Sequence, residues 1–280
     1  MLWRRTVIYV SFYIIGRKSV INPFEHALVC FRLLNLEKSA MSFIMVSVHN
    51  NWEGALVRVV LRIGGSVVAS PPDPVLMEKY VHLLKGLRKQ CEKLVVVVGG
   101  GFVAREFIKV AEGMGLRESD KDEVAISVSR IIAQLLARRL GDLASRMVPT
   151  SIDEALRSLE RGEIVVMGGL KPGMTTDAVA AMIAERIGAD LLVKAADQDG
   201  IYTKDPRRYS DAEKINEVSF DELFGLFEED KHRAGIHQIL DPEAVRILQR
   251  RKTKTVIVNG FDPENVALAV KGEKVGTIIK

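Results

Sequence analysis

The residues best placed for chemistry are glycines. Three clusters, Gly64-Gly65-Ser66, Gly99-Gly100-Gly101 and Gly168-Gly169 leading into Lys171-Pro172-Gly173, each close an aliphatic run. An ordered glycine loses more backbone entropy than other residues, so three clusters at equivalent places imply a shared requirement. Without a Cβ the main chain approaches a ligand closely and turns its N–H groups, with the following helix N-terminus, toward an anion. Each cluster alone also fits a tight strand-to-helix turn; the three together point to an anion site. Neither GxxxxGK[ST] nor the spaced GxGxxG occurs, so a phosphate would have to be held some other way. Asp177, opening a helical pattern behind the third cluster, reads as an N-cap.

The elements that position these loops follow from the apolar pattern. Val57 to Ile63, Lys93 to Val98, Glu163 to Met167, Asp190 to Ala195, Thr255 to Val258 and Thr277 to Ile279 read as strands. They are almost wholly apolar, as expected of strands covered on both faces. Helical patterns fill the gaps: Pro74 to Cys91, Phe102 to Met114, Lys121 to Leu140, Ile152 to Arg161, Asp177 to Ile187 and Pro242 to Arg251. Ser151 and Asp241 are suitable N-caps. Alternation of strand and helix implies right-handed crossovers, a mainly parallel sheet and an α/β fold, with ligands outside the carboxyl ends of the strands.

Composition sets the outer limits. The chain has 280 residues, 48% hydrophobic and 27% charged, enough for a substantial core. Of the net charge of +4, the first 56 residues carry most, leaving about one net positive charge on the remainder, so a nucleic-acid partner is not expected. The apolar run Val7 to Ile15 follows Arg4 and Arg5 but is far shorter than a spanning helix needs, so no membrane partner is expected either. Cys30 and Cys91 have neither metal-ligand nor disulfide spacing, which suits a reducing cytoplasm. Residues 1–56 lack periodicity and contain Met41 and Met45; we expect a poorly patterned extension there, with translation starting at one of these methionines, and a catalytic domain over 57–280. N-terminal mass spectrometry of the native protein checks the start. His232 and His237 read as solvent-facing loop histidines, and Glu228 to Lys231 as a solvated loop.

IGGSVV (Ile63 to Val68), VVGGGFVAR (Val97 to Arg105), MGGLKPGMTTDAVAAMIAE (Met167 to Glu185) and ADQDGIYTKDPR (Ala196 to Arg207) resemble, in order, the signature segments of the amino acid kinase superfamily. Within it they are most similar to the archaeal type of uridylate (UMP) kinases, over essentially Val57 to Lys280. The resemblance implies a three-layer αβα fold, a homohexamer, and transfer of phosphate from ATP with Mg2+ to UMP, with no metal site formed by protein side chains alone. It implies that Gly65, Ser66, Gly101 and Arg105 contact the ATP phosphates, with Ala196, Tyr202 and Asp205 around the adenine nucleotide. Gly100 would meet the UMP phosphate and Asp122 the ribose hydroxyls. Leu170, Lys171, Pro172, Gly173, Met174, Thr175 and Thr176 would enclose UMP. Asp177 would organise the transfer site with Arg62. Such transfer needs two repelling anions held in line, with cations and N–H dipoles absorbing charge; Arg62, Arg105 and Lys171 could supply it without a nucleophilic side chain.

The chain departs from that pattern in places. Arg62 stands where Lys is common, offering a planar fork in place of a compact ammonium. Ala196 and Asp197 replace Thr-Asn, removing a hydroxyl and adding a negative charge, while Leu170 and Met174 replace a Thr and a frequent His. Two alternatives follow: a sister kinase acting on isopentenyl phosphate or acetylglutamate, or a non-catalytic nucleotide- or oxyanion-binding protein. Phe102, where the isopentenyl phosphate type carries a His, and Asp122, poised for a ribose, argue for the nucleotide acceptor. Tyr202, after Asp199-Gly200, equally fits a core-edge aromatic under a turn.

Overall fold

The computed structural model describes residues 56–229 and 240–280. In chain order the elements are β1 (Val57–Ile63), α1 (Gly65–Val68), α2 (Pro74–Leu87), β2 (Cys91–Val98), α3 (Gly101–Gly113), α4 (Glu118–Leu140), α5 (Ile152–Glu160), β3 (Val165–Met167), α6 (Thr176–Ile187) and β4 (Leu191–Ala196). There follow β5 (Ile201–Tyr202), β6 (Lys214–Ile215), β7 (Glu217–Val218), α7 (Phe220–Glu229), α8 (Pro242–Arg251), β8 (Thr255–Asn259), α9 (Glu264–Val270) and β9 (Thr277–Ile279).

Seven strands form one sheet in the order β3-β2-β1-β4-β8-β9-β7, parallel except where β8 meets β9. The apolar strands bury both faces. Val59, Leu61 and Ile63 of β1 pack with Tyr80 and Leu84 of α2 and Ile132 and Leu136 of α4. Val60, between them, joins the opposite layer with Val179 and Ile183 of α6 and Val245 and Leu248 of α8. Each such buried aliphatic side chain contributes about 1.5–3 kcal/mol. The result is the expected α/β sandwich of three layers.

Register places the glycine clusters together. Ile63, the last residue of β1, pairs with Val98 on one side and Ala195 on the other, and Met167 of β3 pairs with Val97. The turns that follow β1, β2 and β3, and the end of β4, therefore share one edge. Local chemistry starts the flanking helices as expected: Ser151 Oγ accepts from the Glu154 N–H, and Asp241 Oδ1 from that of Glu243, with Pro242 beside it.

Some expectations need correction. α2 ends at Leu87, and Cys91 begins β2; burial pushes its thiol up to about 11, which makes it a core residue without reactivity. α4 starts at Glu118, three residues before Lys121. α7 runs through Glu228 and Glu229, where a loop was expected. The hairpin β5–β6, strand β7 and helices α1 and α9 have too few residues to be read in advance, whereas α7, ten residues with an amphipathic pattern, was simply not read. His232, His237, Asp230, Lys231 and the extension up to residue 55 lie outside the described residues. No helix among the described residues is long and apolar enough to cross a membrane.

Candidate active site

The first two glycine tips are pressed main chain to main chain. A Cβ on Gly65 would lie 2.2 Å from the Gly101 nitrogen, and one on Gly101, whose φ is +59°, 2.1 Å from the Gly65 carbonyl oxygen. The glycines therefore do satisfy a structural demand, since only residues without side chains let these loops touch. The same contact lays their peptide groups along the wall of a cavity of about 540 Å³ at the carboxyl edge of the sheet.

At the base of that cavity three charged side chains meet. Arg62 on β1 places Nε 2.6 Å from Asp177 Oδ1, and Lys194 on β4 places Nζ 2.5 Å from Asp177 Oδ2. Arg62 Nη2 also donates to Thr176 Oγ1 at 3.0 Å. The N-cap assigned to Asp177 is thereby corrected: Thr175 caps α6, its hydroxyl oxygen accepting from the Ala178 N–H at 3.0 Å, and Asp177 lies inside the first turn with each oxygen on a cation. Burial raises the Asp177 pKa, but the fields of Arg62 and Lys194, with hydrogen bonds from Lys194 and the Asp241 main chain, outweigh it and hold the group below the usual carboxylate range. Lys194 is 5% exposed; burial and the nearby Arg62 pull it down to about 8 against the opposing pull of Asp177. It is a buried ammonium that is still mainly charged at neutral pH.

Lys194 was missed in the sequence, although a signal existed. It is the single charge in LLVKAA, a strand whose other five residues are apolar and buried. A lysine there must find a carboxylate or face a ligand.

The side of the cavity formed by the third glycine loop is built differently. Asp122 on α4 accepts a hydrogen bond from the Gly173 N–H at 2.7 Å, and Ser129 Oγ one from the Gly169 N–H at 2.8 Å. Thr175 donates to the Asp241 carboxylate, tying the loop's far end to the start of α8. Of the expected site residues, Arg62, Gly65, Ser66, Gly100, Gly101, Arg105, Asp122, Lys171, Met174, Thr175, Thr176, Asp177 and Ala196 line the cavity. Leu170, Pro172 and Gly173 belong to the loop beside it, without lining it. Tyr202 and Asp205 stand apart: the Tyr202 hydroxyl donates to Asp199 at 2.7 Å, and Asp205 accepts from the Arg207 N–H at 3.0 Å. The charge that Asp197 adds is met by Arg207, 3.0 Å away. Ser129 and Gln198 also line the cavity and were not anticipated.

An α/β sheet whose strand tips gather paired cations and bare peptide groups around one open cavity defines a phosphate-handling protein of the glycine-loop kind. Residues 57–259 match the model of the amino acid kinase family, and the chain belongs to that family. It is 41% identical over 221 residues to a uridylate kinase of Methanobrevibacter smithii, covering 79% of this chain and 98% of that one. It is 42% identical over 227 residues to a uridylate kinase of Methanocaldococcus jannaschii, covering 80% and 100%. The crystal structure of uridylate kinase from Archaeoglobus fulgidus superposes with a TM-score of 0.72 at 36% identity, over 80% of this chain and all of that one. UMP kinase from Ureaplasma parvum, at 17% identity and a TM-score of 0.66 over 81% of this chain and 99% of that one, shares the fold.

Proposed function

We propose that the chain transfers the γ-phosphoryl group of ATP to UMP, giving ADP and UDP. The observation that carries this reading is the buried Arg62–Asp177–Lys194 cluster lying under the glycine tips, between the two halves of one cavity. A phosphate oxygen of UMP attacks the γ-phosphorus, the bond to the bridging oxygen of ADP breaks, and the electron pair leaves with ADP. Negative charge grows on the oxygens of the moving group. Lys194 and Arg62, oriented by Asp177 before substrate arrives, stabilise it without reorganising. The N–H groups around Gly65, Gly100 and Gly101 and the Arg105 side chain hold the flanking phosphates, and Asp122 offers an acceptor to ribose hydroxyls.

Among the described residues no group of three or more His, Cys, Asp or Glu side chains is placed to hold a metal, and Asp177 is committed to its two cations. The residues present would leave Mg2+ to arrive on the ATP phosphates, where it would neutralise their charge. The same reading assigns residues 57–280 to one catalytic domain acting in the cytoplasm as a homohexamer.

A coupled assay of ADP release across UMP, CMP, AMP, isopentenyl phosphate and N-acetylglutamate tests the reading. Selective turnover of UMP is expected. Turnover of isopentenyl phosphate or N-acetylglutamate in its place, or ATP binding with no turnover of any acceptor, would overturn it.

A further inference from the structure

Gln198 lines the cavity and takes no part in the steps above. Among the described residues, three buried side-chain polar atoms lack a hydrogen-bond partner: Arg62 Nε, Asp177 Oδ1 and Gln198 Oε1. The first two face each other as an ion pair at 2.6 Å, which leaves Gln198 Oε1 as the one with no counterpart. A buried acceptor without a donor keeps the whole cost of its desolvation, and native chains retain few of them. A ligand that brings the missing donor removes that cost.

The chemistry of the atom narrows what the ligand offers. An amide oxygen accepts and cannot donate, so it does nothing for an ionised phosphate oxygen, which is also only an acceptor. On ATP the groups able to give it a hydrogen are the 6-amino group of the base and the ribose hydroxyls. Position takes Gln198 away from the phosphates. It comes four residues after Lys194, so at roughly 3.3–3.6 Å a residue up to about 14 Å of chain lies between them. Ala196, Asp197 and Gln198 continue the cavity wall beyond β4, and Arg207 is committed to Asp197 at 3.0 Å, so this stretch offers a phosphate little. A side-chain amide sets an acceptor beside a donor, which matches adenine, where an amino group stands beside a ring nitrogen. Among the described residues the Gln198 amide makes no hydrogen bond, so it can turn to meet the base without breaking one.

We propose that Gln198 sets the base specificity for the phosphoryl donor, its Oε1 accepting from the 6-amino group of adenine and its Nε2 donating to the adjacent ring nitrogen. This rests on the reading that the cavity takes ATP as donor. The test is calorimetric binding of ATP and of purine riboside triphosphate, which is ATP without the 6-amino group, each with Mg2+ and without acceptor. It uses the full chain unmutated and as Gln198→Met and Gln198→Leu. The unmutated chain is expected to bind ATP about tenfold more tightly than the analogue, the scale of one hydrogen bond. Both variants should lose that preference, chiefly by weakening ATP. A preference that survives in the variants, equal losses for both triphosphates, or no preference in the unmutated chain would overturn the proposal. If one variant does not fold, the other carries the same comparison. Because binding is read without acceptor, absence of UDP formation by an unmutated chain that still prefers ATP counts against the function alone; absence of ATP binding overturns both.

Discussion

The two halves of the cavity are held by different means. The donor half stands on β1 and β4, two central strands, with Arg62, Asp177 and Lys194 locked in a buried ionic cluster. The acceptor half is a loop over residues 168–176, fastened to α4 and α8 by hydrogen bonds that it donates to Asp122, Ser129 and Asp241 and accepts from Arg130. Groups that must meet growing charge sit where nothing has to move, which is how fixed dipoles and cations lower a barrier. Groups that admit and release the acceptor sit on a segment restrained by a few hydrogen bonds, of which all but the buried one to Ser129 are exposed or half-buried. Losses on the first side should therefore appear in turnover and stability together, and losses on the second in KM.

Asp177→Asn should give the largest effect. It leaves Lys194 and Arg62 as uncompensated buried charges, costing about 3–5 kcal/mol of stability in denaturant unfolding. Turnover should fall at least about 1,000-fold, because both cations lose their orientation. Lys194→Met comes next, with turnover down about 100-fold to 1,000-fold and a smaller stability change, because Asp177 keeps Arg62. The unmutated protein offers a milder version of the same test. As pH rises through about 8, Lys194 loses its proton and turnover should fall, while Lys194→Arg should flatten that limb. Stability moves the other way. The folded-state pKa lies below the ordinary lysine value, so the unfolded chain binds more protons from about pH 8 up to the ordinary lysine range, and this group's contribution to stability rises with pH there. A common direction for both pH readouts would contradict the lowered value of Lys194 in the folded protein.

On the acceptor side, Asp122→Ala should raise the KM for UMP about tenfold with little effect on ATP, read from initial rates. Arg105→Ala should be the smallest change, lowering turnover by less than about tenfold, because this exposed cation is screened by water and salt. Equal small effects of both on both substrates would mean that the donor and acceptor sides are assigned wrongly.

Much of this was legible in the sequence, for physical reasons that also mark where it stopped. The central strands could be read because burial on both faces keeps them almost wholly apolar, with Arg58 and Arg62 in β1 and Lys194 in β4 as the exceptions, and β1 and β9 begin and end where the pattern placed them. The glycine loops could be read because close backbone approach admits no other residue at Gly65 and Gly101. Pattern alone gives Asp177 as a cap, because its partners lie 115 residues before it and 17 after it; only the family resemblance implied its role beside Arg62. Lys194 went unread for the same reason, although its strand made it anomalous. Arg130 looked like any charge on a helix face, since its partners are the Gly169 and Leu170 carbonyls, and every residue has a carbonyl.

The most direct measurement is a crystal structure with a non-hydrolysable ATP analogue and UMP bound together. The account places the γ-phosphate against the Gly65 and Gly101 amides with Lys194 within hydrogen-bonding reach, and the UMP phosphate at Gly100. Either nucleotide seated elsewhere, with Lys194 still turned to Asp177 and no phosphate near, would contradict it.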